Sequence, residues 1–234
     1  MPEIAGEFFD READYDQWDR TRPHRHQSAA ICFLTMRLND SIPRSVILRW
    51  HQERIEYLQR MGVEVERNWK RGHEQLTAEQ QAKFSKHFSR QRETTLDECL
   101  GGCELSDPRA REEVAKTLEF FHGQRYWLGD YVIMPNHIHC LVAFLDNDIA
   151  KTQPGSWMRF SAKKINQLLG SNGALWFPEP FDHLVRNENQ LEYLRSYIGD
   201  NPKKAGLNED EFTYRRSAGD FEAVAETMSL NFPN

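Results

Sequence analysis

The 234-residue sequence predicts an α+β fold. Compact apolar runs of strand length alternate with stretches of helical periodicity. Two of those runs, Arg125 to Met134 and His137 to Phe144, are joined only by the turn dipeptide Pro135-Asn136. So short a link requires an antiparallel hairpin.

The other elements follow in chain order. Ala29 to Leu38 is an apolar run rich in β-branched and aromatic residues and predicts a buried strand. Pro43 opens a helical stretch with Val46, Ile47, Trp50, Ile55 and Leu58. Glu64 to Glu98 is strongly polar, with a helical patch from Thr77 to Phe88. Asp107-Pro108 starts a helix with Val114, Leu118 and Phe121 on one face, and Gly123 follows it. Trp157 to Leu169 predicts a helix stopped by Gly170, with Phe160 read as core. Phe181 to Val185 predicts a short strand. Asn187 caps a helix over Glu188 to Asp200, whose stripe is Leu191, Leu194 and Ile198 and whose end is set by Pro202.

Composition narrows the function. No run of about 18 apolar residues exists, so no membrane span is expected. Met1 to Asp10 lacks a basic-then-apolar leader pattern. Four cysteines do not make a disulfide scaffold at this length, which points to a reducing, cytoplasmic setting. Cys99 and Cys103 lack the further ligands of a zinc knuckle. The formal net charge is −6, but unevenly placed. Residues 159–204 hold seven basic and five acidic groups, against two and six in residues 205–234. Net charge governs solubility and steering and leaves room for a local phosphate-binding face.

His137-Ile138-His139 lies on a predicted strand. Alternation sends both imidazoles to one face, where two neutral rings about 7 Å apart along the chain can hold one divalent metal. The same pattern also suits two histidines on a partly exposed face, outside the core. His24-Arg25-His26 has the same spacing, but sits in a polar segment and is read as solvated surface. Tyr193 and Tyr197 share a helix face off the apolar stripe, with Asn201 four residues beyond. A tyrosine nucleophile needs an activated electrophile, which a metal-polarised phosphate would supply.

Four ordered strings carry a family resemblance. Met134-Pro135-Asn136-His137-Ile138-His139 resembles the His-bulky-His (HUH) motif of single-tyrosine transposases. Gly155 to Lys164 resembles the helix after that strand, Phe181 to Arg186 its F-D-H-x-x-R strand, and Tyr197 to Leu207 its Y-I-x-x-N-P-x-K-A-G-L signature. The sequence thus resembles the REP-associated tyrosine transposases over roughly residues 29–207.

The resemblance implies a ferredoxin-like central antiparallel sheet packed with helices, the histidine motif on a central strand and the tyrosine on a C-terminal helix. Residues 1–27 are polar, acidic and without sustained periodicity and are read as a loosely ordered arm; the resemblance makes 28–207 the transposase-like domain. A helical insertion falls at about 62–106, and 208–234 form an acidic tail. Tyr197 takes the nucleophile position. His137 and His139, with Asn201 as third ligand, take Mg²⁺ or Mn²⁺. The implied activity is nicking and rejoining of single-stranded DNA bearing REP-like hairpins, through a 5′-phosphotyrosine, in a bacterial cytoplasm. Both monomers and homodimers occur in the family.

Lys163, Lys164, Arg186, Lys203 and Lys204 are the expected phosphate contacts. Trp157 is a candidate for stacking unpaired bases, as is Trp176. His183 is read as structural. Protonation of the ligand histidines is expected to weaken metal activity below about pH 6. The alternative is a catalytically inactive, domesticated nucleic-acid-binding protein. A small-molecule metallohydrolase would need ligands that the later strands do not offer.

Overall fold

A computed structural model describes residues 6–19 and 23–217, in two compact units. The larger comprises 1–39 and 103–234, the smaller Asp40–Gly102. In chain order the strands are β1 (Asp16–Asp19), β2 (Pro23–His26), β3 (Ile31–Arg37), β4 (Tyr126–Ile133), β5 (His137–Phe144), β6 (Phe181–Leu184) and β7 (Thr213–Arg215). The helices are α1 (Arg44–Arg60), α2 (Trp69–Glu74), α3 (Ala78–Asp97), α4 (Pro108–Glu119), α5 (Asn147–Leu169) and α6 (Glu188–Lys204). No helix among the described residues is long and apolar enough to cross a membrane.

The larger unit is built on a five-stranded sheet of order β6-β3-β5-β4-β7, antiparallel throughout. Its first four strands in chain order, β3 to β6, stand in the ferredoxin-like arrangement, first beside fourth and third beside second. The fold is therefore α+β with the His137–His139 strand at the centre of the sheet. Every residue of β5 is buried, because the strand has neighbours on both edges and helices over both faces.

Alternation sorts the strand between two cores. Ile138, Cys140 and Val142 join Cys32, Leu34 and Met36 of β3 in one core, with Val114 and Leu118 of α4 and Trp157 and Ile165 of α5. Leu141 joins Ile31, Phe33 and Val132 in the other, under Leu191, Leu194 and Ile198 of α6. His137 and His139 share the phase of Leu141 and so face α6.

The register of β4 shifts between Leu128 and Tyr131, where one extra residue is accommodated as a bulge. The bulge presents the buried carboxylate of Asp130 to Arg195 of α6, with Nε and Nη2 at 3.1 and 3.2 Å. Asp130 also accepts the Ser217 backbone N–H at 2.9 Å.

The smaller unit packs Ile55 and Leu58 of α1 with Val65, Leu76, Phe84 and Phe88. A second cluster joins Ile42, Val46, Trp50 and Leu96. Thr77 opens α3 with a capping box closed by Gln80. The unit thus includes α1, whereas the sequence sets its insertion at about 62–106.

Several elements depart from expectation. Helix α5 starts at Asn147 rather than Trp157, because Asp146 caps it by accepting from Ile149 N at 2.7 Å. Pro154 is carried within it and is buried. Pro202 does not end α6. It sits in the final turn, where its missing N–H forfeits one bond while Ala205 N still donates to Asn201 O at 3.1 Å. Phe160 is 62% exposed, not core. The short strand β7 lies in the expected C-terminal tail, and the rest of that tail, residues 218–234, falls outside the described residues.

The N-terminal segment also differs. Residues 16–26 contain a paired hairpin, and His24 and His26 are 5% and 2% exposed, not solvated surface. His24 holds a carboxylate on each ring nitrogen, Asp182 at Nδ1 and Glu179 at Nε2 (3.0 Å). Burial pushes the Asp182 carboxyl above its ordinary value, and His24 pulls it back. His26 Nδ1 pairs with Asn147 Oδ1 at 2.8 Å. Polar residues are buried here because partners distant in sequence satisfy them. Replacing His24 by Ala would leave the buried Glu179 and the partly buried Asp182 carboxylates facing a void, and urea unfolding at pH 7 is expected to show a loss of about 3 kcal/mol.

Candidate metal centre and nucleophile

The Pro135-Asn136 turn is closed by Met134 N donating to His137 O at 2.8 Å, and Leu38 N donates to Asn136 O at 2.9 Å. This fixes where β5 begins. His137 and His139 are 0% and 1% exposed, with ring centroids 4.6 Å apart at 74°. One ring nitrogen from each lies within 4.8 Å of the other.

Both Nδ1 atoms are held by oxygens. His137 Nδ1 is 2.6 Å from Asn136 Oδ1. An amide oxygen only accepts, so His137 carries its proton on Nδ1 and its lone pair on Nε2. His139 Nδ1 is 2.9 Å from Oγ1 of Thr35, its direct register partner on β3. Phe33 stacks on the His139 ring at 5.2 Å and 21°. Burial drives the His137 pKa down to about 3, so that ring is neutral at neutral pH. Two imidazoles so oriented fit a divalent metal through Nε2.

Tyr197 is half-buried, its ring centroid 5.2 Å from His139 and 6.0 Å from Phe33, edge to face with both. Lys204 Nζ lies 5.0 Å from the Tyr197 ring. Asn201, one turn on, is completely buried. Arg195, two residues before Tyr197, is the Asp130 partner, so the ion pair anchors α6 beside its tyrosine. Tyr193 is 67% exposed, with its ring 6.5 Å from that of Tyr197 and 24° from parallel.

The other expected site residues separate. Arg186, Lys203 and Lys204 are exposed at or on α6, on the histidine side of the sheet. Lys163 and Lys164 are exposed on α5, which packs on the opposite face, so the sheet stands between them and the histidines. Trp157 offers no face for a base. It is 2% exposed, and its indole N–H donates to Tyr126 Oη at 3.0 Å. Trp176 is likewise buried, donating to Ser161 Oγ at 2.9 Å. His183 packs edge to face on Phe33 at 6.4 Å and meets Gln190 at 2.6 Å, and burial lowers its pKa.

No protein-family model and no curated protein matches the chain. Among solved structures it is similar to a REP-associated tyrosine transposase bound to a REP hairpin. Sequence identity is 16% and the TM-score 0.38, over 84% of this chain and 76% of that one.

Sequence reasoning missed Thr35, Phe33 and Asn136. Thr35 and Phe33 reach His139 only through the β3–β5 register, which joins residues more than a hundred apart in sequence. Asn136 was legible only as a turn residue. The view of His137 as a face residue outside the core is also corrected, since it is fully buried.

Burial of His137 has a measurable pH signature. Its folded pKa lies below the unfolded value of about 6.5, so between the two the unfolded chain binds more protons. Stability from this site is present above about pH 6.5 and is lost as pH falls, at roughly 1.4 kcal/mol per unit. Urea unfolding of the metal-free protein is expected to show His137→Asn losing about 2 kcal/mol less than wild type between pH 7 and 5.

Proposed function

We propose that the chain is a metal-dependent single-stranded DNA endonuclease and strand transferase that works through a 5′-phosphotyrosine. The observation that carries this reading is the Tyr197 ring 5.2 Å from His139, beside a pair of buried, oxygen-anchored imidazoles. A half-buried tyrosine packed edge to face against one imidazole of such a pair suits an oxygen nucleophile acting on a phosphorus centre.

His137 and His139, with Asn201 as the third ligand, would hold Mg²⁺ or Mn²⁺, which when bound draws charge from the non-bridging phosphate oxygens. Asn136 and Thr35 keep each imidazole turned so that Nε2 faces the site. Tyr197 Oη attacks phosphorus, the P–O3′ bond breaks, and the departing oxygen takes a proton to become a 3′-hydroxyl. Lys204, beside the Tyr197 ring, and Lys203 and Arg186 on the same side of the sheet would receive phosphates of the flanking strand. Lys163 and Lys164, across the sheet, would meet only DNA that wraps around the molecule. The substrate in this reading is single-stranded DNA carrying a REP-like hairpin.

The test is incubation with hairpin-bearing single-stranded DNA and Mn²⁺, followed by denaturing electrophoresis. A covalent protein–DNA band is expected, with the nucleotide found on Tyr197 by mass spectrometry. Shifted but uncut DNA would favour the inactive binding module. Tyr197→Phe should lower adduct formation by on the order of 10³-fold or more while DNA binding is retained. Asn136→Ala should raise the Mn²⁺ concentration for half-maximal cleavage about 10- to 100-fold, with activity restored at excess metal.

A further inference from the structure

Tyr193 is the one large apolar side chain on α6 that is exposed to this degree, at 67%. The apolar stripe of α6 is turned to the sheet and Arg195 is tied to Asp130, so the helix presents Tyr193 to solvent on a fixed support. Its ring is nearly parallel to that of Tyr197, and the centroids are 6.5 Å apart. Stacked bases repeat every 3.4 Å or so, which means a planar ring inserted between two others needs about 6.8 Å. The spacing on α6 is close to that of a pair of aromatic jaws with room for one base. Lys204 lies against the Tyr197 ring, and Lys203 is exposed one residue before it, supplying positive charge on the same helix. Exposed aromatic rings among cations are how proteins hold unpaired bases without reading their sequence.

We propose that Tyr193 is a positioning residue whose ring stacks the unpaired base adjoining the scissile phosphate, between itself and Tyr197. The proposal rests on the reading above for its substrate, single-stranded DNA, but not for its chemistry. Holding the base at Tyr193 sets the neighbouring phosphate one helical turn along, at Tyr197. The ring, not the hydroxyl, performs this role.

Equilibrium binding and adduct formation test it separately. Fluorescence anisotropy with a labelled hairpin-bearing strand should show Tyr193→Leu raising Kd on the order of tenfold, and Tyr193→Phe leaving it unchanged. The salt dependence of Kd should be the same for all three proteins, because no phosphate contact is removed. An abasic analogue scanned along the strand should weaken wild-type binding at one position by a similar factor and leave Tyr193→Leu no weaker. A Tyr193→Leu variant that binds like wild type overturns the proposal, as does a Tyr193→Phe variant that loses as much as Tyr193→Leu. Wild-type protein that binds no single-stranded DNA overturns it as well. Wild-type protein that binds through Tyr193 yet forms no covalent adduct upholds the stacking role and refutes the nuclease reading alone.

Discussion

Two imidazoles in the middle of a sheet are the constraint around which this structure is arranged. Strand β5 has partners on both edges and helices over both faces, so nothing polar in it can reach bulk water. A buried imidazole without a partner would cost a few kcal/mol, and a charged one more. His137 meets that demand through its neighbour Asn136, and His139 through Thr35 across the β3–β5 pair. The same bonds fix which nitrogen of each ring faces the space under α6. What keeps the histidines compatible with a core is therefore also what turns one nitrogen of each ring toward that space.

Helix α6 completes the arrangement from the other side. Leu191, Leu194 and Ile198 seat it on the sheet, and the Tyr197 ring takes the edge of the apolar contact, packed against Phe33 and His139. In the proposed reaction, which is governed by positioning, a tyrosine held by two aromatic contacts loses less freedom on engaging DNA than one on a loop. The local charge pattern, with Lys204 at that ring, Lys203 exposed beside it and Arg186 exposed ahead of the other end of α6, bears on an anionic partner more directly than the overall charge of −6.

Much of this was legible in the sequence where it depended on local pattern. The period-two run from His137 to Phe144, the Pro135-Asn136 turn and the α6 stripe each place their residues within a few positions. Long-range pairing was not legible. Nothing near His24 signals that Asp182 and Glu179 will enclose it, so a histidine in a polar, acidic stretch read as solvated. Trp157 illustrates the reverse case. An aromatic near two lysines on one helix looks like a base platform until Tyr126, from strand β4, is seen to take its N–H. Lys163 and Lys164 belong to a helix whose face of the sheet follows only from the order of the strands. Pro202 misled because a proline in the last turn of a helix displaces a single hydrogen bond.

The bulge in β4 separates two things that strands usually combine. Leu128 and Tyr131 both contribute to the core under α4 and α5, although three residues apart, because the extra residue is absorbed between them. A strand shorter by that one residue would keep the same side chains in the same phase and bury the same apolar surface. If the residue missing were Asp130, the strand would lose the carboxylate that grips Arg195. In that case the tie between the sheet and the tyrosine-bearing helix is an addition the size of a single codon. A homologue could gain or lose that tie without otherwise changing its architecture.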